Sequence, residues 1–277
     1  MKNEALVLLA ASLLRIPGRR LRALARGDQS ALRAWIAGES ALRLAEARRD
    51  ARLAFERLES LGARLVSLND PEYPPGLLDL RDPPTFLTVL GTLANGGTAI
   101  VGAREPTEEA RSFVHALGGA LAAPIVSGLA FGIDAAAHGG ALDASVATIA
   151  YVGNGLGATY PPEHRELEER IIAAGGAIVS ERLPDERATR WSLTKRDRLQ
   201  AAHASALILV QSEAAGGAMH AVRSARELGR PHFALEPRDD SGFSGNARAI
   251  AEGAVALPWD VDEICRRLSP APETRRA

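Results

Sequence analysis

The sequence predicts an α/β protein: a doubly wound, mostly parallel sheet behind a small all-helical N-terminal domain. Three observations carry that prediction. Beyond residue 61, short apolar runs alternate with longer segments whose apolar residues recur every three or four positions. That is the pattern of buried strands separated by amphipathic helices. The first sixty residues show the helical period alone. Glycines gather just after most of the predicted strands, where a parallel sheet places its strand-to-helix turns and its ligands.

Residues 1–61 are assigned to the helical domain. "ALVLLAASLLRI" and "SALRLAEARRDARLAFERLESLG" carry apolar residues at helical spacing. On the second, Arg52 and Glu56 attract while Arg48 and Arg52 repel. Between them "RIPGRRLRALARG" sets an Ile16-Pro17-Gly18 turn before an Arg/Leu/Ala helix. That arrangement is similar to a helix-hairpin-helix or SAM-like unit, whose turn amides meet DNA phosphate, but an ordinary interhelix turn is the stronger reading. Proline is dense from Asn69 to Pro84, and because proline fixes φ and removes a donor, this stretch is expected to be loop.

Residues 62–268 are assigned to the α/β domain. Strands are expected at "ARLVSL", "TFLTVLG", "TAIVGA", "APIVSG", "SVATIAYVG", "GAIVSE", "SALILVQ" and "RPHFALEP". Helices are expected from Thr107 to Leu121, through Ala136 and Leu142, from Glu163 to Ala174, around Arg198, and from Ala218 to Leu228. Residues 269–277, ending "APETRRA", read as a disordered tail.

Composition is ordinary for a globular chain, 46% hydrophobic and 24% charged, with only 4% aromatic residues. The core is therefore expected to be aliphatic. No apolar run approaches the ~20 residues of a membrane span. The opening "MKNEALVLLAASLLRIPGRR" lacks a basic n-region and a small-residue cleavage site, so it reads as a helix of the fold and not a signal peptide. A cytoplasmic location is the default. The one cysteine, Cys265, excludes an internal disulfide and any multi-cysteine metal site. The six histidines are scattered, with no HExxH. No metal and no cofactor are expected. Net charge is −1, but it is unevenly spread. Residues 1–60 hold twelve Lys and Arg against seven Asp and Glu, and the remainder 21 against 27. The basic N-terminal part suits either nucleic acid or a solvated arginine-rich helix surface.

In "IVSGLAFGIDAAAHGGAL", Gly128 and Gly132 bracket a turn that precedes a helix. Glycine lets backbone approach a ligand, and helix N-terminal amides favour an anion; Ser127 adds a hydroxyl. The same glycines also suit a tight turn and nothing more. Together with Gly102, the Gly153–Gly157 loop and Gly216 and Gly217, they point to a phosphate-type ligand. No GxxxxGK[ST] occurs, which excludes a P-loop. Asp134 and His138, four apart, are either an acid–base pair or a helix-start carboxylate and a neighbour. Lys195, Arg196 and Arg198, just before a strand, are expected to line one phosphate track with Arg104 at the end of "IVGAR", and Arg104 and Arg196 to be exposed at loop ends. A solvated charge run is the alternative. Trp191 and Phe131 are candidates to stack a base, and His203 and His220 are weaker ligand candidates near strand ends.

"TAIVGAREPT", "IVSGLAFGIDAAAHGGAL", "TIAYVGNGLGATYPPEHREL", "GGAIVSERLP", "KRDRLQAAHASALILVQSEAAGGAMHAVRSARELGRPHFAL" and "SGNARAIAEGAVAL" follow one another in the order seen in the DNA-processing protein A (DprA/Smf) family. The chain resembles that family from about Leu65 to Trp259. The resemblance implies an extended Rossmann-like fold and no catalytic turnover. It also implies single-stranded DNA bound in a basic pocket at the sheet's carboxyl edge, a homodimer, and loading of a RecA-type recombinase onto strands taken up in natural transformation. By motif match, Arg104, Ser127, Gly128, Gly132, Asp134, Arg196, Arg198, Gly216 and Gly217 belong in or around the pocket.

The chain departs from that pattern in places. The family's Phe-Pro-x-Arg-Asn-Arg is here Leu193 to Arg198, with Asp197 in place of asparagine. A carboxylate there weakens phosphate binding unless Arg198 or Arg104 pairs with it. The family's Ser-Gly-Ser/Thr becomes Ala215, Gly216 and Gly217, and its Pro-Gly after the last strand becomes "LEPRDD", bringing Glu236, Asp239 and Asp240 toward the site. A winged-helix-like C-terminal domain is expected to be lacking. Two other functions stay open. One is a small-nucleotide sensor or phosphoribohydrolase-like enzyme, with Glu181 or Glu213 as its carboxylate and "EAAGGAMHAV" in place of the hydrolases' glycine loop. The other is a protein-interaction scaffold with no phosphate ligand.

Overall fold

Nine strands make one sheet. In chain order they are β1 (Arg64–Ser67), β2 (Phe86–Gly91), β3 (Thr98–Val101), β4 (Ile125–Ser127), β5 (Thr148–Tyr151), β6 (Ala177–Ser180), β7 (Ala206–Leu209), β8 (His232–Leu235) and β9 (Val255–Leu257). Their order across the sheet is β1-β2-β6-β5-β4-β3-β7-β8-β9. β1–β2 and β2–β6 pair antiparallel, and the other pairs are parallel. The chain therefore runs outward from β3 to β6, returns to the other side of β3 with β7, and runs outward again. The doubly wound sheet reverses direction between β3 and β7. This computed structural model describes residues 9–11, 13, 23, 30, 37–238 and 241–268. The Ile16-Pro17-Gly18 turn, Asp239, Asp240 and residues 269–277 lie outside the described residues.

Side chains alternate across each strand, and the strands feed two cores. Ala99, Val101, Val126, Leu207 and Leu209 face one side. They pack there under α5 (Arg190–His203), α6 (Met219–Glu227) and α7 (Ser244–Ala251). Ile100, Ile125 and Ile208 face the other, under α2 (Glu108–Ala120), α3 (Ile133–Asp143) and α8 (Val261–Leu268). α4 (Arg165–Ala173) closes that second face over Ala150 and Ile178 through Ile171. The helix that precedes the sheet, α1 (Ala41–Ser60), starts at an N-cap in which Ser40 Oγ accepts from the Arg43 amide at 3.3 Å. It buries Ala47 and Ala51 against Phe86 of β2.

Every expected strand and helix of the α/β part is present. Three elements at its end, α7, β9 and α8, were not read from the sequence. The first and last have eight residues each and β9 has three, with Val255 52% exposed, too little length to establish a period. The proline-rich stretch contains a short 3-10 turn, Pro75–Asp79, because Pro75 can start a helix whose first amide needs no partner.

Candidate nucleic-acid interface

The carboxyl ends of β3, β4 and β5 surround a small open cleft. Each wall has a local reason. β4 ends at Ser127, which is fully buried; its hydroxyl donates to the Ile100 carbonyl at 2.7 Å and ties β4 to β3. Gly128 and Leu129 then turn the chain, with Leu129 buried at φ 62°. That left-handed conformation costs a side-chain-bearing residue about 1 kcal/mol or more, and it swings Ala130 and Phe131 onto the cleft. Gly132, at φ 77°, starts α3. A Cβ there would collide with the carbonyls of Ala103 and Arg104. The Ile133 amide donates to the Ala103 carbonyl at 3.1 Å, so the loop carrying Arg104 is pinned to the start of α3.

The floor is Arg196. The sequence places it at an exposed loop end; the structure corrects this. Arg196 lies inside α5 and is 4% exposed. Its Nη1 donates to the carbonyls of Gly128 and Tyr151, and its Nε lies 3.1 Å from Asp197 Oδ1. The guanidinium thus joins the ends of two strands whose carbonyls have no further strand to pair with. The partner of Asp197 is Arg196, not Arg198 or Arg104.

The four cations do not form one track, a second correction. Arg104 and Arg196 line the cleft. Lys195 and Arg198 turn toward the end of β6, where Glu181 Oε2 lies 3.5 Å from Lys195 Nζ and 2.6 Å from Arg198 Nη2. α5 is the cause, since its turns send adjacent residues in different directions. Arg104 is exposed and its side chain makes no ion pair or hydrogen bond among the described residues.

Ser127 is also corrected as a ligand contact, because its buried hydroxyl is committed to Ile100. Asp134 is 7% exposed and accepts from the Ala130 amide at 3.2 Å. His138 is fully buried, with Nδ1 2.6 Å from Thr148 Oγ1. Burial pushes the imidazole down to about 3 and the Asp134 carboxyl up, against the pull of Arg196. The two have separate partners and are not an acid–base pair. Gly216 and Gly217 lie in the turn after β7, one strand beyond the cleft, and do not line it. A Cβ on Gly216 would strike Ser212 Oγ, while nothing crowds Gly217. His203 sits beneath the sheet and not at a strand's carboxyl end. It is buried, 2.7 Å from the Tyr151 hydroxyl, and burial lowers it to about 4.

The rim is aromatic. Phe131 and Tyr160 line the cleft and are 42% and 41% exposed. Phe131 meets the His164 ring edge-on at 4.7 Å, and His164 Nδ1 donates to the Leu129 carbonyl at 2.9 Å. Trp191 is exposed but stands outside the cleft, under Lys195 Nζ at 4.9 Å. Gly153 and Leu193 close the wall between β5 and α5, where a Cβ on Gly153 would press on Leu193. The sequence reading missed Leu129, Tyr160, Pro161 and Leu193. The available signal was "ATYPP", an aromatic residue fixed by prolines at the end of a glycine loop. Among the described residues no helix is long and apolar enough to cross a membrane, and no group of three His, Cys, Asp or Glu side chains is placed to hold a metal.

The family model of DNA recombination-mediator protein A matches residues 64–269. The chain is 34% identical to the Smf protein of Synechocystis over 196 residues, 67% of this chain and 49% of that one. It is 32% identical to the Smf protein of Escherichia coli over 219 residues, 76% of this chain and 58% of that one. The chain thus spans about half the length of these two relatives. Among solved structures, DNA processing protein A of Streptococcus pneumoniae matches with a TM-score of 0.74 at 26% identity, over 86% of each chain. The Helicobacter pylori protein, in a structure described by its single-stranded DNA binding mode, matches with a TM-score of 0.66 at 27% identity, over 74% of this chain and 95% of that one.

Proposed function

The chain belongs to the DNA recombination-mediator protein A family, and from that premise we propose that it holds single-stranded DNA at the cleft over β3, β4 and β5. The observation that carries this reading is the pairing of an uncommitted cation with two exposed rings. Arg104 stands at one side of the cleft, and Phe131 and Tyr160 stand at its rim. A strand offers each of them a partner, phosphate for the guanidinium and base faces for the rings. Arg196 contributes positive potential from the floor, without leaving its carbonyls. Gly128 and Gly132 act by keeping the loop close. Lys195 and Arg198 act at longer range, partly neutralised by Glu181. The rest of the reading is a homodimer in the cytoplasm that passes a bound strand to a RecA-type recombinase during DNA uptake. It adds no catalytic step.

One observation favours a small nucleotide instead. The hollow between Gly128, Phe131, Gly153 and Arg196 is small, closer to the size of one nucleotide unit than of a strand. A hydrolase would need a free carboxylate at the cleft, and Glu181 is held by Arg198 and Lys195. The two readings separate in one titration of a labelled single-stranded oligonucleotide with a mononucleotide as competitor. Displacement of the strand only at a large mononucleotide excess is expected for a strand-binding site. Displacement at low concentration, or no strand binding, supports the small-nucleotide reading.

A further inference from the structure

Asp197 lies beside the cleft floor, with its side chain 14% exposed. Its surroundings come from three elements. On its own helix are Arg196, at 3.1 Å, and Gln200, whose Nε2 is 3.4 Å from Asp197 Oδ1. From α3 comes Asp134, and from the loop after β3 comes Arg104. Beyond Asp197, the buried His138 feels the charges of both Arg196 and His164. Two carboxylates, Asp197 and Asp134, thus flank the one buried guanidinium beneath the cleft, with Arg104 exposed above them. An anion entering there gains little while both carboxylates are ionised.

Gln200 adds a second mark. With its nitrogen 3.4 Å from Asp197 Oδ1, the amide also turns that nitrogen on the N–H donors of Arg196, so this orientation does not fit. Turned over, its oxygen accepts from both Arg196 Nη1 and Nε at 3.2 Å. The second orientation brings the amide oxygen to Asp197, which a carboxylate repels and a protonated carboxyl satisfies by donating. The orientation that satisfies Arg196 is therefore the one that suits a protonated Asp197.

We propose that anion binding in this cleft is coupled to uptake of one proton by Asp197, which frees the charge of Arg196 for the anion. The inference rests on the strand-binding reading and specifies how that site is regulated. Burial is the main force raising the Asp197 carboxyl to about 7; Asp134 raises it further, and Arg196 and Arg104 lower it. A bound phosphate adds negative charge and raises it more, so binding at a pH above that value draws in a proton.

The test follows binding of a labelled single-stranded oligonucleotide from about pH 5.5 to 9, at fixed salt, for the parent, Asp197→Asn and His164→Gln. Calorimetry of the parent in two buffers of different ionisation heat counts the protons without any substitution. The parent's affinity is expected to fall by up to about tenfold per pH unit above neutrality, with close to one proton taken up. Asp197→Asn is expected to bind with a flat profile, at pH 8 as tightly as the parent at pH 6, and His164→Gln to keep the parent's slope. A flat parent profile, no proton uptake, or an unchanged slope in Asp197→Asn overturns the coupling while leaving strand binding intact. A slope lost in His164→Gln and kept in Asp197→Asn assigns the proton to the histidine and overturns it equally. No strand binding at any pH overturns the function and this inference together.

Discussion

The guanidinium of Arg196 fills the space that a side chain at position 128 would need. A Cβ built on Gly128 falls against Arg196 Nη1 and comes within 2.6 Å of Asp134 Oδ2. Glycine at 128 is thus a condition for a buried arginine that starts 68 residues later. Gly128→Ala is expected to displace the guanidinium and destabilise the fold by about 2 kcal/mol, in the range for overpacking a filled site. Urea unfolding checks this. An unchanged midpoint would show that Arg196 has room to move.

Arg196→Ala is expected to cost about 3–5 kcal/mol of stability. It leaves the buried Gly128 and Tyr151 carbonyls without their donor, at about 1–3 kcal/mol each, and empties the space the guanidinium filled. The effect on DNA binding is read only under conditions where the variant remains folded, by chemical unfolding and near-UV circular dichroism.

Arg104→Ala is expected to do the opposite. The side chain is exposed and without a partner among the described residues, so stability should stay within about 0.5 kcal/mol. Affinity for a single strand should fall several-fold. The slope of log affinity against log salt should shrink by about 0.7, one phosphate contact.

Phe131→Ala and Tyr160→Ala are each expected to weaken strand binding by about 1–3 kcal/mol if a base stacks on the ring. Anisotropy titrations with an oligonucleotide measure this. An abasic strand of equal length should show little difference between these variants and the parent.

Asp197 sets a pH dependence of stability in the free protein. Its folded value, about 7, lies above its unfolded value. The folded state therefore holds a proton that the unfolded state has lost between about pH 4 and 7. The stability this contributes is present at low pH and declines as pH rises through 7. Asp197→Asn removes the cost of burying the charge, so it should be more stable than the parent at pH 8 by on the order of 2 kcal/mol and gain much less at pH 5. Paired thermal melts at the two pH values check the sign.

The strands were legible because a buried parallel strand is an unbroken apolar run, as in "TAIV" and "ALIL". The turns after β3, β4 and β5 were legible from their glycines. Arg196 was not. In "LTKRDRLQ" it stands among other charges and reads as solvated. What buries it are carbonyls 45 and 68 residues away, at the ends of β5 and β4, and no local pattern encodes that approach. Ser127 failed in the same way: a small hydroxyl after a strand suits a phosphate, but the Ile100 carbonyl across the sheet takes it. Tyr160 was missed because one aromatic residue beside prolines carries no period.

The central claim is that the cleft beside Arg104 holds the phosphates of a DNA strand. Its most direct test compares single-strand affinity at two salt concentrations for the parent, Arg104→Ala and Arg223→Ala; Arg223 is exposed on α6 and lines no part of this cleft. The account predicts salt-sensitive binding that Arg104→Ala weakens, with a reduced salt slope, and that Arg223→Ala leaves near the parent's. Equal affinity and equal slope in Arg104→Ala and the parent would contradict it and place the strand elsewhere on the molecule.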